Sequence, residues 1–417
     1  MKKGSSYKKN FCRLCESKNI QLGLKLTPTP PGNNFLTQKN LYLEEETFPL
    51  ELDFCHDCYH IQLGHVVDPE FLFQNNYSYV SSTSRVFVNH LKEYANSMID
   101  LLNLNRDSFV IDIGSNDGTC LSFFKDQEIK VLGVDPAEKI SEIANENGVQ
   151  TLNEFFNIHI ANEIKKNFQD VNLITSHNAC AHIDDLRSVI DGVDCLMNDD
   201  TIFVMEVGYF VDVYQNKWFD TIYHEHVDFH TVAPLKKLFG SVGMEIFKVE
   251  RIEPQGGSIR VMVQRKNGKF QIDESVEKLI SLEASIGLNA IKSLQSFEEE
   301  INIVRSRFKN LIEQLKQSGK KIAAFGAPTK ATTLSYHFGL EKEDVDFIVD
   351  DNPLKQGLYS PGKHIPVYHP SSIYEKKPDI LIILAWNFAE DIMNKHKKYG
   401  DEIGSFLIPM PIPKIVD

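Results

Sequence analysis

The sequence predicts an α/β protein in four consecutive parts: a small four-cysteine domain (1–75), a doubly wound sheet domain (76–272), a helical connector (273–319) and a second Rossmann-like α/β domain (320–417). Three observations predict it. Two Cys-x-x-Cys pairs, Cys12/Cys15 and Cys55/Cys58, stand near the start of the chain. A strand, a glycine turn and a helix start, followed by a strand ending in an acid, occupy 108–135. The same succession recurs from Gly319, in "KKIAAFGAPTKATTL" and "DVDFIVDDNPLKQG". A chain of 417 residues has ample core for two or three such domains.

Bulk composition narrows the function classes. With 42% apolar and 24% charged residues the chain is neither disordered nor fibrous. A net charge of −14 with no concentrated cationic patch argues against nucleic-acid and anionic-membrane partners. The apolar run "DILIILAW" (379–386) is far too short to span a bilayer. No apolar stretch follows the basic "MKKGSSYKKN", so no signal peptide is expected, and the reading is cytoplasmic.

In such a chain cysteines are metal ligands or buried thiols rather than disulfides. Paired Cys-x-x-Cys turns bring four thiolates to one ion at tetrahedral angles, which predicts structural Zn2+ on Cys12, Cys15, Cys55 and Cys58. Four thiolates leave no open position for a substrate. A thioredoxin-like redox pair would sit between a strand and a helix, and "NFCRLCESK" has no such pattern. His56, His60 and His65 read as surface or packing residues.

"SFVIDIGSNDGTCLSFF" (108–124) reads as a buried strand, a glycine turn and a helix start, and "KVLGVDPAEK" as a second strand ending in Asp135. An acid at that tip is where doubly wound folds bind a ribose diol. "GSNDGT" lacks the middle glycine of the dinucleotide fingerprint. The form Asp112-x-Gly114-x-x-x-Gly118 instead resembles the first motif of class I S-adenosylmethionine methyltransferases. Asp112, Gly114, Ser115, Asn116, Gly118, Asp135, Pro136 and Asn178 are the cofactor-binding candidates. Strands ending near His177 and at Glu206 point Asn178, His182 and Glu206 toward the same cleft. "QGGSIRVMVQR" (255–265) supplies a late strand.

Residues 273–318 contain no proline and carry apolar residues at helical spacing, which predicts two long amphipathic helices with a weak point near Gly287. In the last part, "FGAPTKAT" offers a helix N-terminus plus Lys330 for a phosphate, without Walker spacing.

In shared order, the four-cysteine segment, "PEFLFQNNYSYVSSTS" (69–84), "DIGSNDGT", "GVDPA", "NACAH", "YHEH", "GGSIRV", "GAPTK" and "DDNPLKQG" resemble the sugar C-methyltransferases of deoxysugar biosynthesis. The resemblance implies an S-adenosylmethionine-dependent enzyme that methylates carbon, usually C3 of a dTDP-linked 4-keto-deoxysugar, with no catalytic metal. It implies His226 as the base, its imidazole poised near neutrality, with Glu225 orienting it or binding sugar hydroxyls. Tyr223 would donate to the enolate oxygen, His182 would be a second donor or acid, and Tyr77 or Tyr79 would reach over the sugar. Ser81, Gly326, Lys330, Asp350 and Asn352 are the implied substrate-binding residues. His224 and His230 stay structural. The rival readings are sugar O- or N-methylation and a non-catalytic zinc-containing nucleotide-sugar-binding protein.

The chain departs from the family pattern at Ala331 and Thr332, and an extra acid, Asp351, near the expected nucleotide pocket admits GDP in place of dTDP. One conflict remains. In a regular strand Tyr223 and Glu225 face one way and His226 the other. The implied roles therefore require the chain to turn or bulge at "YHEH".

Overall fold

A computed structural model describes residues 6–74, 80–253 and 257–417. Tyr77 and Tyr79 lie outside the described residues. The central sheet has seven strands in the order Met244–Ile252, Ser258–Arg265, Ile202–Gly208, Leu173–His177, Phe109–Ile113, Lys130–Val134 and Thr151–Leu152. The last five are parallel, and the Ser258–Arg265 hairpin arm runs antiparallel at the other side. Strands such as "FVIDI" and "IFVMEV" are apolar almost throughout because helices cover both faces of the sheet and every side chain is buried. Strand order reverses between Phe109–Ile113 and Leu173–His177, which opens a crevice beyond their carboxyl ends.

The C-terminal sheet has six strands, ordered Val367–Tyr368, Ile348–Val349, Ile322–Phe325, Ile380–Ile383, Ser405–Ile408 and Lys414–Val416, with the last antiparallel. Its own reversal lies between Ile322–Phe325 and Ile380–Ile383, and the Thr329–Phe338 helix starts there. The helices Ser275–Ser285 and Lys292–Gln317 flank Gly287, which has φ 85°. The longer helix buries Leu294, Phe297, Ile301 and Phe308 on one side. A continuous apolar core joins Leu24 and Leu52 at the N-terminal end, Ile174 and Phe210 in the centre, and Phe308 and Ile382 at the C-terminal end.

The N-terminal sheet is a surprise in composition. Its order is Asp228–Phe229, Ile61–Leu63, Phe48–Cys55 and Ile20–Thr29, so its edge strand is borrowed from the central part of the chain. A two-residue strand carries no periodicity, and nothing local in the sequence announces this pairing. Among the described residues, no helix is long and apolar enough to cross a membrane.

Candidate active site

The conflict at "YHEH" is resolved by the backbone. The His226 N–H donates to the Tyr223 carbonyl at 2.9 Å, closing a turn over 223–226. The Tyr223 hydroxyl then lies 2.8 Å from His226 Nε2, while His226 Nδ1 lies 2.8 Å from the Thr221 carbonyl. A carbonyl only accepts, so Nδ1 carries the proton, and Nε2 keeps its lone pair and accepts from Tyr223. The His182 ring meets the His226 ring edge-on at 4.9 Å. Burial lowers His226 to about 4 and His182 to about 3, so both imidazoles are neutral in ordinary buffers. This corrects the expectation of a base poised near neutrality: desolvation by the surrounding protein disfavours the imidazolium.

Glu225 does not orient His226. Its Oε1 accepts from Asn33 Nδ2 at 3.1 Å, and the orienting contact belongs to Thr221. Burial raises Glu225 to about 7 against the Asn33 hydrogen bond and the positive charge of Lys355. His224 is buried with Nε2 3.2 Å from the Phe48 carbonyl, and His230 is fully buried; both are structural, away from the Tyr223–His226 pair.

One cleft of about 2350 Å³ joins this turn to both crevices. At its central-sheet end, Gly114 has φ 74°, and a Cβ there would come within 2.3 Å of Ala179 Cβ. Asp112 is 2% exposed, and its Oδ1 has no hydrogen-bond partner. Burial pushes this carboxyl up to about 7. An orphaned buried acceptor beside a glycine cradle suits a ligand that is cationic and donates hydrogen bonds, as S-adenosylmethionine does. Asp135 follows the second strand and accepts from the Asn116 and Ala137 N–H groups, each at 2.9 Å. Ser115, Asn116, Pro136 and Asn178 line the same end, and Gly118 caps the following helix at φ 77°. Gly114→Ala is expected to weaken S-adenosylmethionine binding by about 10–100-fold, measured by calorimetry, because it adds both strain and collision.

At the C-terminal end the expected substrate residues separate. Lys330 and Asn352 line the cleft. Lys330 Nζ donates to Asn387 Oδ1 at 2.8 Å and sits 4.7 Å over the Trp386 ring. Asp350 does not present its carboxylate to the cleft: its oxygens accept from the Ala327 and Asn352 N–H groups at 2.6 and 2.8 Å and shape the loop. Gly326, at φ 92° and packed on Ala385, is likewise a backbone requirement. Asp351 is exposed and paired with Lys395 at 2.7 Å, so it gives no ground for choosing a carrier. Ser81 belongs to the other end, where its N–H donates to Asn116 Oδ1 at 2.9 Å.

Sequence reasoning missed Asn33, Lys355 and Asp220, and it expected Glu206 to face the cleft, where the structure buries it at 1% exposure. Asn33 and Lys355 approach Glu225 from either side. Asp220 is fully buried, accepts from Trp386 Nε1 at 2.7 Å and lies 4.0 Å from Lys330, tying the segment that leads into the 223–226 turn to the C-terminal sheet. Glu206 is clasped by Arg260 Nε at 2.7 Å, His90 Nε2 at 2.8 Å and His177 Nδ1 at 2.9 Å. Arg260 and Lys355 sit inside "GGSIRV" and "DDNPLKQG", so a signal existed; Asp220, three residues before "YHEH", Asn33 and His90 carry none.

The four cysteine sulfurs lie within 4.8 Å of one another, with Cys12–Cys58 at 3.5 Å and Cys15–Cys55 at 3.6 Å. Tetrahedral bonds of about 2.3 Å put sulfurs about 3.8 Å apart. The cluster therefore fits Zn2+ on four thiolates, closed to substrate.

Comparison with known proteins agrees with this layout. A family model described as a zinc binding domain matches residues 12–73, a methyltransferase domain model matches 87–249, and a C-methyltransferase C-terminal domain model matches 253–411. The chain is similar to the C-methyltransferase NovU of Streptomyces niveus, with 31% identity over 405 residues, covering 97% of this chain and 96% of that one. Solved structures align over less of it. The YcgJ protein of Bacillus subtilis has 15% identity and a TM-score of 0.34 over 42% of this chain and 99% of its own. An S-adenosylmethionine-dependent methyltransferase of Clostridium acetobutylicum has 13% identity and a TM-score of 0.34 over 43% and 92%. Neither of these two likenesses is close enough to argue from. End-to-end identity to NovU, with the three domain models in the same order, places the chain in the C-methyltransferase family as an S-adenosylmethionine-dependent enzyme with an N-terminal zinc domain.

Proposed function

We propose that the enzyme methylates C3 of a nucleotide-linked 4-keto-deoxysugar, with His226 as the base. The observation that carries this reading is the tautomer of His226: Thr221 holds the proton on Nδ1, and the lone pair of Nε2 stands in the cleft with Tyr223. A C–H beside a ketone is acidic enough for such a base. The C3 proton passes to Nε2, and its electron pair forms the enolate. Tyr223, released from Nε2, is placed to donate to the enolate oxygen. S-adenosylmethionine supplies the electrophilic methyl group, leaving as S-adenosylhomocysteine when the new C–C bond forms. Lys330 and Asn352, with the N-terminus of the Thr329–Phe338 helix, face the nucleotide; dTDP is favoured and GDP is the alternative. The reading places the enzyme in the cytoplasm.

The test is proton exchange. In heavy water, enzyme with a dTDP-linked 4-keto-deoxysugar should replace the C3 proton by deuterium without cofactor, and on adding S-adenosylmethionine should give a product whose new methyl is bonded to carbon by NMR. A methyl on oxygen or nitrogen, or no exchange with any of the dTDP, UDP, GDP and CDP sugars, sinks the proposal.

A further inference from the structure

The turn that carries His226 has an odd parentage. By sequence it belongs to the central part of the chain, yet the strand that follows it, Asp228–Phe229, is the edge of the zinc domain's sheet. That pairing is two residues long, Asp228 opposite Gln62 and Phe229 opposite Ile61, with one further bond from the Leu63 N–H to the Val227 carbonyl at 2.8 Å. So short a ladder defines register weakly, and a slip of one residue would reverse every side chain on it. Something else must set the position of the turn.

His60 Nε2 lies 2.7 Å from Asp228 Oδ1, and both side chains are fully shielded from solvent. His60 itself is placed by the metal hairpin. The Cys55 N–H donates to the His60 carbonyl at 2.9 Å and the Tyr59 N–H to the Cys55 carbonyl at 2.8 Å, with Tyr59 at φ 69° between Cys58 and His60. From the cysteine cluster to His226 there is thus an unbroken path: the Cys55–Cys58 hairpin, His60, Asp228, and the turn two residues upstream. From the other side the Val227 N–H donates to the Ala181 carbonyl at 2.9 Å, next to His182. Simple packing would be met as well by apolar side chains of similar size. A buried carboxylate, with Oδ2 left unpartnered, is a costly way to fill space but a directional way to hold a geometry.

We propose that His60 and Asp228 are positioning residues through which the zinc domain sets the placement of His226. The inference rests on the reading of His226 as the base. Zinc then acts on catalysis by holding the hairpin that presents His60, without touching substrate.

The experiment uses full-length zinc-loaded protein with His60→Ala, His60→Gln, Asp228→Ala and Asp228→Asn. Hydrogen exchange followed by mass spectrometry reads the 222–230 segment in the absence of any substrate. His60→Ala should speed its exchange while the metal content stays at wild-type level, and His60→Gln, whose amide can still donate, should restore part of the protection. Zinc chelation should speed the same segment in wild-type protein. With a keto-sugar that turns over, kcat should fall by about 10–100-fold in His60→Ala, with KM and cofactor affinity nearly unchanged. Unaltered protection of 222–230 in His60→Ala overturns the proposal, as does a loss expressed wholly in KM. If His60→Ala does not fold, Asp228→Ala decides, since Asp228→Asn keeps the Oδ1 acceptor and should retain most of the protection: wild-type protection and kcat in Asp228→Ala overturn the positioning role. Because the exchange measurement needs no turnover, it stands apart from any failure of the His226 assignment.

Discussion

His226→Asn should lower C3 proton exchange and methyl transfer together by about 10²–10⁴-fold, the usual worth of a positioned general base. Asparagine can still donate to the Thr221 carbonyl, but it offers no basic lone pair where Nε2 stands. S-adenosylmethionine affinity should not change, since the residues proposed to hold it lie at the other end of the cleft. The pH profile adds a second check. Because burial lowers His226 to about 4, the neutral base is already present above that pH, and kcat/KM should show no histidine limb near 6.5. Glu225, raised to about 7, gains its charge through neutrality beside Lys355, so the part of an inflection near 7 that vanishes in Glu225→Gln belongs to it, while Asp112, also raised to about 7, accounts for any part that remains. An inflection near 6.5 that survives Glu225→Gln and disappears with His226 would refute this assignment of states.

Glu206→Ala should be the most destabilising single change, at about 3–5 kcal/mol, because it strands buried Arg260 together with His90 and His177. Against the effect of burial, the charge and hydrogen bond of His177, then the His90 hydrogen bond and the Arg260 charge, hold Glu206 well below the usual carboxylate range. Its contribution is therefore fully present above the unfolded carboxylate pKa of about 4.3 and is lost as pH falls through the lower folded value. His177 is pushed well above its ordinary value, with Cys120 and Glu206 opposing the effect of burial. Its contribution has the opposite sense, present below about 6.5 and lost as pH rises through the folded value. Thermal melts across pH should show a large drop in midpoint for Glu206→Ala and a flatter acid limb than wild type. A melt within a degree or two of wild type would mean that the cluster carries no stability.

Legibility followed sequence separation. The Cys-x-x-Cys pairs, the glycine turn at 114–118 and the helices on either side of Gly287 are set by residues a few positions apart, and each could be read directly. "YHEH" was legible as a contradiction: alternation placed Tyr223 and His226 on opposite faces, and only a turn could join them. The family resemblance implies that Glu225 orients His226 or binds sugar hydroxyls; the carbonyl of Thr221 takes the orienting contact. The resemblance also implies Asp350 as a substrate ligand; here its carboxylate binds two backbone N–H groups and, unlike Asp135, does not line the cleft.

The sequence by itself determined the α/β class, the zinc cluster, the glycine turn at 114–118 and the family, all written in short spacings and their order along the chain. Only the tertiary structure decided which distant groups meet: Asn33 with Glu225, His60 with Asp228 and Asp220 with Trp386 around the turn, and His90 with Glu206 in the central sheet. Spacing along the chain constrains neighbours through backbone geometry. Partners more than a hundred residues apart meet only because packed sheets and helices bring them together, and no local pattern encodes that meeting. The charge states follow the same division, since the burial that moves His226 and Glu225 in opposite directions exists only once the three domains close around them.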